Sequence, residues 1–521
     1  MIGTSVEQGS TGYKTNQTFN KPFANDLIPE SFDGSIVAVG TDVVTKLTPT
    51  KLLSYFGRLQ YDYDSRYFAT ASIRRDGYSA FGLMNKWGNF SSFSGAWKIS
   101  DETFFKNLDL NIINSLKLRA SYGATGNCSI SSTAALSMLK AVSYAGQSGY
   151  TISTTANPNL GWEKAKSTDL AFDLALLDNR IQFTFDYYTK ATTDLLYQVP
   201  VVAASGLSVQ WSNLGDIDNK GFEVELNTRN LTGAFKWSTT FNLGYNENTV
   251  KRLGVSNTPV YSGFDATNTS NVLQVGLPMN TFYMYEAIGV WKTQAEIDAY
   301  KAAHVTAANP TGTPVTFLGA AFKPGDIRYN DLNNDGVITT ADKAYLGSPT
   351  PKFTYGFTNN FQYKNFDLSI LITAQSGGKI LGILGRAIDR PGMGALSNVM
   401  GNWRNAWWSE TEQGDGSTPY ILSATTGTTI DSRWLYSSDY IRIKNVSFGY
   451  RLPALPKVYS SARIYVSAEN LAMFSKYRGG YSPESANSGA SGVPGGGNSL
   501  GIDYGGYPTS KVFTMGVNVT F

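Results

Sequence analysis

The chain ends on Lys511-Val512-Phe513-Thr514-Met515-Gly516-Val517-Asn518-Val519-Thr520-Phe521. Phe513, Met515, Val517, Val519 and Phe521 fall on one side of an extended strand. Thr514, Gly516, Asn518 and Thr520 fall on the other, because strand side chains alternate with period two. One side is wholly apolar; the other is small and polar. About ten residues in this pattern suffice for a tilted β-strand to cross a bilayer. A half-buried strand of a soluble sandwich has the same appearance, so the reading turns on whether the pattern repeats.

It repeats. Tyr67, Ala69, Ala71 and Ile73 oppose Phe68, Thr70, Ser72 and Arg74. Leu116, Leu118, Ala120 and Tyr122 oppose Lys117, Arg119, Ser121 and Gly123. Leu170, Phe172, Leu174 and Leu176 continue across Asp178-Asn179, a short turn, into Ile181, Phe183, Phe185 and Tyr187. Phe222, Val224 and Leu226 precede Phe235, Trp237, Phe241, Leu243 and Tyr245. Phe353 to Tyr363 pass through Lys364-Asn365 to Phe366, Leu368, Ile370 and Ile372. Roughly fourteen such strands are expected, most longer than the 5–6 residues usual in soluble sheets. Short joints at 178–180, 230–233 and 364–365 alternate with long polar stretches at 125–160, 193–215, 247–279, 293–349, 377–435 and 475–510. Short turns at one end and long loops at the other are the layout of a transmembrane barrel. The fold class read from this is all-β: an antiparallel up-and-down transmembrane β-barrel with long extracellular loops. Residues 9–49 read as a further polar loop, and Thr293 to Ala303 as one short helix with Thr at its N-terminus.

Composition agrees. Charged residues are 16% of the 521, aromatics 13%, and 52 glycines serve many turns. No run of about eighteen apolar residues offers a helical span. A net charge of +3 with no basic run gives no footprint for nucleic acid. Cys128 and His304 stand alone of their kinds, which leaves no intrachain disulfide and little scope for histidine catalysis. The start of the sequence carries no basic segment followed by an apolar one.

Several local motifs invite chemistry. Asp331, Asn333 and Asp335 at positions 1, 3 and 5, Gly336 at 6, Val337 at 7, Thr339 at 9 and Asp342 at 12 follow the spacing of an EF-hand-type calcium loop. Asp342 is shorter than the usual glutamate, and no helix pair flanks the loop. An Asx-rich turn closed without metal is the alternative, so a structural Ca2+ is an expectation to set against the geometry. Trp403, Trp407 and Trp408, with Arg404 among them, offer a stacking platform for a sugar ring or an apolar ligand. The more ordinary use of such a cluster is to pack its own loop or to anchor it at the membrane surface. Glu223 and Glu225 read as charges on the inward face of a barrel rather than as a catalytic pair. Gly495, Gly496 and Gly497 lack the strand and helix that a phosphate cradle needs.

Longer motifs point to one family. Arg66-Tyr67-Phe68-Ala69-Thr70-Ala71-Ser72-Ile73-Arg74-Arg75-Asp76-Gly77, with Phe81-Gly82, Trp87-Gly88 and Ser94 to Ser100, resembles a signature of the SusC/RagA-type TonB-dependent transporters. Leu116 to Asn127, Gly325 to Tyr329, Gly347-Ser348-Pro349 with Pro351-Lys352-Phe353, Tyr440 to Tyr450 and Ala468 to Leu471 are similar to further blocks of that family. The resemblance implies an outer-membrane barrel of about twenty-two strands in a Gram-negative bacterium. It implies import of oligosaccharides or peptides, a SusD-like lipoprotein lid, energy from the TonB complex, and no enzymatic activity. It also implies that Phe521 is the terminal aromatic presented to barrel-assembly machinery. With no plug domain or signal peptide recognised, residues 1–521 are expected to be the C-terminal part of such a barrel, incomplete at roughly fourteen strands and bounded by outer-membrane lipids. The rival readings are a soluble or surface-attached β-rich glycan-binding protein and, less well supported by residues, a secreted enzyme.

Overall fold

A computed structural model describes residues 1–9, 13–16, 43–46, 50–144, 147–200, 209–254, 256–263, 269–304, 316–388, 401–421, 429–455, 458–484 and 501–521. The expected loop over 9–49 and the glycine run 495–497 lie largely or wholly outside these residues. One antiparallel sheet organises the rest. Its fourteen strands pair strictly in chain order. They are β1 (Ile2–Gln8), β2 (Lys51–Tyr63), β3 (Tyr67–Tyr78), β4 (Trp87–Lys98), β5 (Ile113–Asn127), β6 (Glu163–Leu176) and β7 (Ile181–Thr193). The second half is β8 (Gly215–Thr232), β9 (Phe235–Leu253), β10 (Phe353–Tyr363), β11 (Phe366–Ser376), β12 (Tyr440–Leu452), β13 (Ser461–Ser475) and β14 (Val512–Thr520). The expected number of strands is met, and so is the up-and-down order. Among the described residues no pairing joins β1 to β14, so the sheet is open.

The register keeps one face apolar from strand to strand. Leu170 pairs with Ala120 on one side and with Tyr187 on the other. Leu226 pairs with Phe241, which pairs with Phe357. A slip of one residue would turn every such side chain to the opposite face, so the alternation itself fixes the register. Aromatic rings form two belts on the apolar face. Phe185, Phe222, Tyr245 and Phe353 run across four strands with ring centroids 6.1, 5.4 and 4.8 Å apart. Trp237 and Phe361 (5.9 Å) and Phe366 and Tyr450 (4.8 Å) belong to the lower belt. Trp237 and Tyr245 share β9 and stand about 27 Å apart along it, or about 21 Å in height at a tilt near 40°. That is close to the roughly 25 Å apolar band of an outer-membrane barrel.

The opposite face is polar and cross-linked. The Arg119 guanidinium donates to Asp173 and to Asp186, each at 3.0 Å, tying β5, β6 and β7. The Arg463 guanidinium on β13 reaches Asp367 on β11 past Gly449 of the intervening β12. A Cβ at Gly449 would stand 2.5 Å from Arg463 Nε, which is why that position has no side chain.

The tight turns lie at the lower end. Leu177, Asp178 and Asn179 all take positive φ, as does Lys364, so the hairpins close in the left-handed region that Asp and Asn tolerate best. At the upper end the long connections hold more order than their polarity suggests. Residues 254–352 carry a small sheet and the helix Gln294–Ala303, capped by the Thr293 side chain as expected. Their core includes Trp291, Ile297, Ile327, Tyr329 and Ile338. A second core joins Phe282 and Met284 to Leu381, Trp434 and Ile502, from three different connections. The reading of 247–279, 293–349 and 377–435 as plain polar loops is therefore corrected. Each is half-apolar in places, without the length or periodicity that would mark an element.

Candidate functional site

The upper ends of the strands and the modules over them hold most of the chemistry-bearing side chains singled out from the sequence. The 331–342 loop is closed by its own hydrogen bonds. Asp331 Oδ2 accepts from the Gly336 N–H at 2.8 Å and from the Tyr300 hydroxyl at 2.7 Å. Asp335 Oδ1 accepts from the Val337 N–H at 2.8 Å, while Asn333 Nδ2 donates to Asp335 Oδ2 at 2.9 Å. Asp342 is fully buried, accepting from the Leu332 N–H at 3.0 Å and from the Thr339 N–H at 2.8 Å. Thr339 and Asp342 form a reciprocal capping box on a single 3-10 turn. Gly336 takes φ +83°, the sharp turn that its place in the loop requires. The turn and donor types of a calcium loop are thus present. Among the described residues, however, no group of three or more acidic, histidine or cysteine side chains gathers about one point.

Two residues that the motif did not include hold this loop in place. Tyr300 and His304 sit four apart on one side of the helix Gln294–Ala303 and its cap. The His304 ring nitrogens lie 2.7 Å from the Tyr300 carbonyl and 3.2 Å from Asn334 Oδ1. Burial, together with the bond to Asp331, raises the Tyr300 phenol well above its ordinary pKa. The i, i+4 spacing of Tyr300 and His304 is the sequence signal that could have found them.

The tryptophans separate. Trp403 and Trp407 are buried, and the Trp407 indole N–H donates to the Lys292 carbonyl at 2.9 Å. Only Trp408, 50% exposed, presents a ring to solvent. It borders a cleft of about 520 Å³ with Arg404, Asn405, Glu412 and Asp415. A platform of three indoles is not what the fold presents, because the aromatic core needs Trp407 more than the surface does.

Asp431 ties the modules together. Its buried carboxylate accepts from the Tyr329 hydroxyl at 2.8 Å and from Arg433 Nη2 at 2.7 Å, joining connections that lie 102 residues apart. The last connection is drawn in by the Leu381 N–H, which donates to the Gly501 carbonyl at 2.8 Å, and is closed within itself by Tyr477, which donates to Asp503 Oδ2 at 2.6 Å. Nearby, burial pushes the Tyr285 phenol up to about 12 and lowers the Lys343 ammonium. Glu223 and Glu225 lie on the polar face of β8, where Asn227 Nδ2 donates to Glu225 Oε1. At the opposite end of that face a cleft of about 730 Å³ gathers Arg229, Lys236, Arg451 and Arg463 around Asp367. Phe521 is exposed at the free edge, next to the end of β14.

The sequence profile described as "TonB dependent receptor-like, beta-barrel" matches residues 3–471. This chain is a member of that family. Its resemblance to the SusC/RagA type therefore stands, the family is one of outer-membrane receptors and transporters rather than of enzymes, and the wall is an outer-membrane barrel fold. TonB-dependent receptor P3 of Formosa agariphila is 38% identical over 95% of this chain and 48% of its own length. TonB-dependent receptor SusC of Bacteroides thetaiotaomicron is 28% identical over 91% of this chain and 44% of its own. The structure of the RagAB peptide transporter superposes with a TM-score of 0.75 at 23% identity, over 94% of this chain and 49% of that one. The chain spans about half the length of the curated relatives it matches. No described helix is long and apolar enough to cross a membrane, which leaves strand crossing untouched.

Proposed function

We propose that this chain forms the C-terminal part of the barrel wall of a TonB-dependent outer-membrane importer, taking up oligosaccharides or peptides with a SusD-like lipoprotein over its outer face. The observation that carries the reading is the fourteen-strand meander itself, largely apolar between two aromatic belts on one face, where the polar Thr239 and Asn359 bond to each other, and polar on the other. Such a wall separates lipid from a water-filled or plugged lumen and does nothing else as well. The relatives support the transport role: one is named SusC, and the RagAB structure is that of a peptide transporter. Folded modules at the long-loop end give a broad, rigid surface for a lid. The exposed Trp408 and its polar cleft suit a sugar ring.

Deleting the encoding gene should abolish growth on one class of oligosaccharide or peptide, and loss of TonB should reproduce the defect. A lipoprotein should co-purify in detergent. Growth unaffected by both deletions on every such substrate would sink the importer reading.

We further propose that residues 331–342 take up Ca2+ as a structural staple, with Asp331, Asn333, Asp335, the Val337 carbonyl, Thr339 and Asp342 as the donor set. Support comes from the Gly336 turn and the buried Asp342 carboxylate. Calcium should raise the melting temperature, and Asp331→Ala should abolish the rise. A wild-type protein indifferent to calcium removes the staple.

A further inference from the structure

At the tight-turn end of the wall one connection differs from its neighbours. The strands are joined there by 64–66, 177–180, 233–234, 364–365 and the longer 453–460, but between β4 and β5 by residues 99–112, the longest of these connections. This segment makes a 3-10 turn at Ile99–Asp101 and a single helical turn at Thr103–Lys106. Its direction is set by Glu102. The Glu102 carboxylate accepts from the Tyr67 hydroxyl, from the Trp97 indole N–H at 3.0 Å and from Arg66 Nη1 at 3.2 Å. Tyr67 and Trp97 are register partners on the apolar face of β3 and β4. A carboxylate held by both of them stands over the outside of the wall, not over the lumen.

Beyond Glu102 large apolar side chains are exposed in alternation with the polar Thr103, Asn107, Asp109 and Asn111. Phe104 continues the belt, with its ring centroid 6.3 Å from that of Trp97, and Tyr67 lies 6.3 Å from Tyr63. Phe104, Leu108, Leu110 and Ile112 leave between 46% and 61% of their surface uncovered. Lys106 is exposed beside them. We infer that residues 99–112 are an interfacial anchor, whose Phe104, Leu108, Leu110 and Ile112 enter the inner leaflet of the outer membrane just below its headgroups, with Lys106 at the level of the phosphates. This rests on the barrel-wall reading above, since tight turns mark the periplasmic end.

Lipid is the occupant for two reasons. The patch is continuous with the lower aromatic belt, which already sits at the membrane–water boundary. It is also small: four half-exposed side chains amount to something on the order of 400 Å², against roughly 800 Å² per partner in a stable protein interface. Large apolar side chains interleaved with polar ones, here Thr103, Lys106, Asn107, Asp109 and Asn111, are the composition of a segment that lies in the interfacial plane with its polar groups toward water.

The test uses protein isolated from outer membranes and returned to phosphatidylcholine vesicles. With Cys128→Ser removing the chain's single thiol, Leu108→Cys carries an environment-sensitive fluorophore. Its emission should shift to the blue, be lost to a nitroxide placed near the lipid headgroup, and resist aqueous iodide. Phe104→Cys should behave alike, and Asn179→Cys in the tight turn should respond to iodide instead. Iodide quenching at 108 equal to that at 179 overturns the anchor, as does shielding from both quenchers, which would mean that protein covers the segment. Leu226→Cys, midway up the wall, should lose emission to a nitroxide near the chain end. If that signal is absent, the barrel-wall reading fails and takes the anchor with it; if it is present, the result at 108 bears on the anchor alone.

Discussion

Asp431 shows how much one residue can hold. Its fully buried carboxylate satisfies the Arg433 guanidinium and the Tyr329 hydroxyl, and it closes the contact between two connections that are far apart in sequence. Removing one partner of a buried ion pair leaves an uncompensated charge, which costs about 3–5 kcal/mol. Asp431→Ala should therefore loosen the upper modules while the wall stays folded, seen as faster amide exchange over 285–304 and 316–329 with unchanged exchange in β8 and β9. Tyr329→Phe, which leaves the Arg433 pair intact, should cost only about 1 kcal/mol. Equal exchange in wild type and Asp431→Ala would show that the pair does not secure the modules. Nothing local announces this residue: Asp-Ser-Arg is an ordinary tripeptide, and its meaning comes from Tyr329. Asp331, by contrast, was legible as part of a spaced motif, whereas the hydroxyl of Tyr300 that reaches it was not.

At the scale of the strand, period-two alternation carries both identity and register. Leu226 pairs with Phe241, halfway between Trp237 and Tyr245 on β9, and so lies near the middle of the apolar band. A cation at such a place on the lipid face costs about 2–4 kcal/mol. Leu226→Arg should lower stability by that amount in a guanidinium titration of protein in vesicles. Asn242→Arg, on the polar face opposite Glu225, should cost much less. Similar costs for both variants would deny that the faces see different solvents. Strands were legible because a wall strand makes its contacts with near neighbours on either side. The connections were less so. The clustering of Trp403, Trp407 and Trp408 was legible and loop packing was the expected use, but sequence does not show which rings the core of 254–352 claims and which, like Trp408, stay exposed.

At the scale of the whole molecule the decisive fact is that the sheet has two edges. Among the described residues β1 and β14 each leave one side unpaired, and hydrocarbon supplies no hydrogen-bonding partner for those backbone groups. The chain expressed by itself should therefore aggregate or close imperfectly, and should lack the heat-resistant, compact band of a barrel on unheated electrophoresis. A monodisperse, heat-resistant species from this chain alone would show that the sheet can close on itself. Phe521 lies beside one of these edges, fully in the open, where its role as an assembly signal could be read by replacing it with Ala and following membrane insertion.

The sequence by itself determined most of the wall: roughly fourteen alternating strands, their up-and-down order and which face of each is apolar, because these follow from alternation along a strand and from turn chemistry between strands. It also determined the family, through blocks spread along its length. Only the tertiary structure decided that the long connections fold into modules with their own cores, that Asp431 and Tyr300 secure them, and that Glu102 draws residues 99–112 onto the outer surface. Those features rest on contacts between segments far apart in sequence, where no local periodicity records which side chain will meet which.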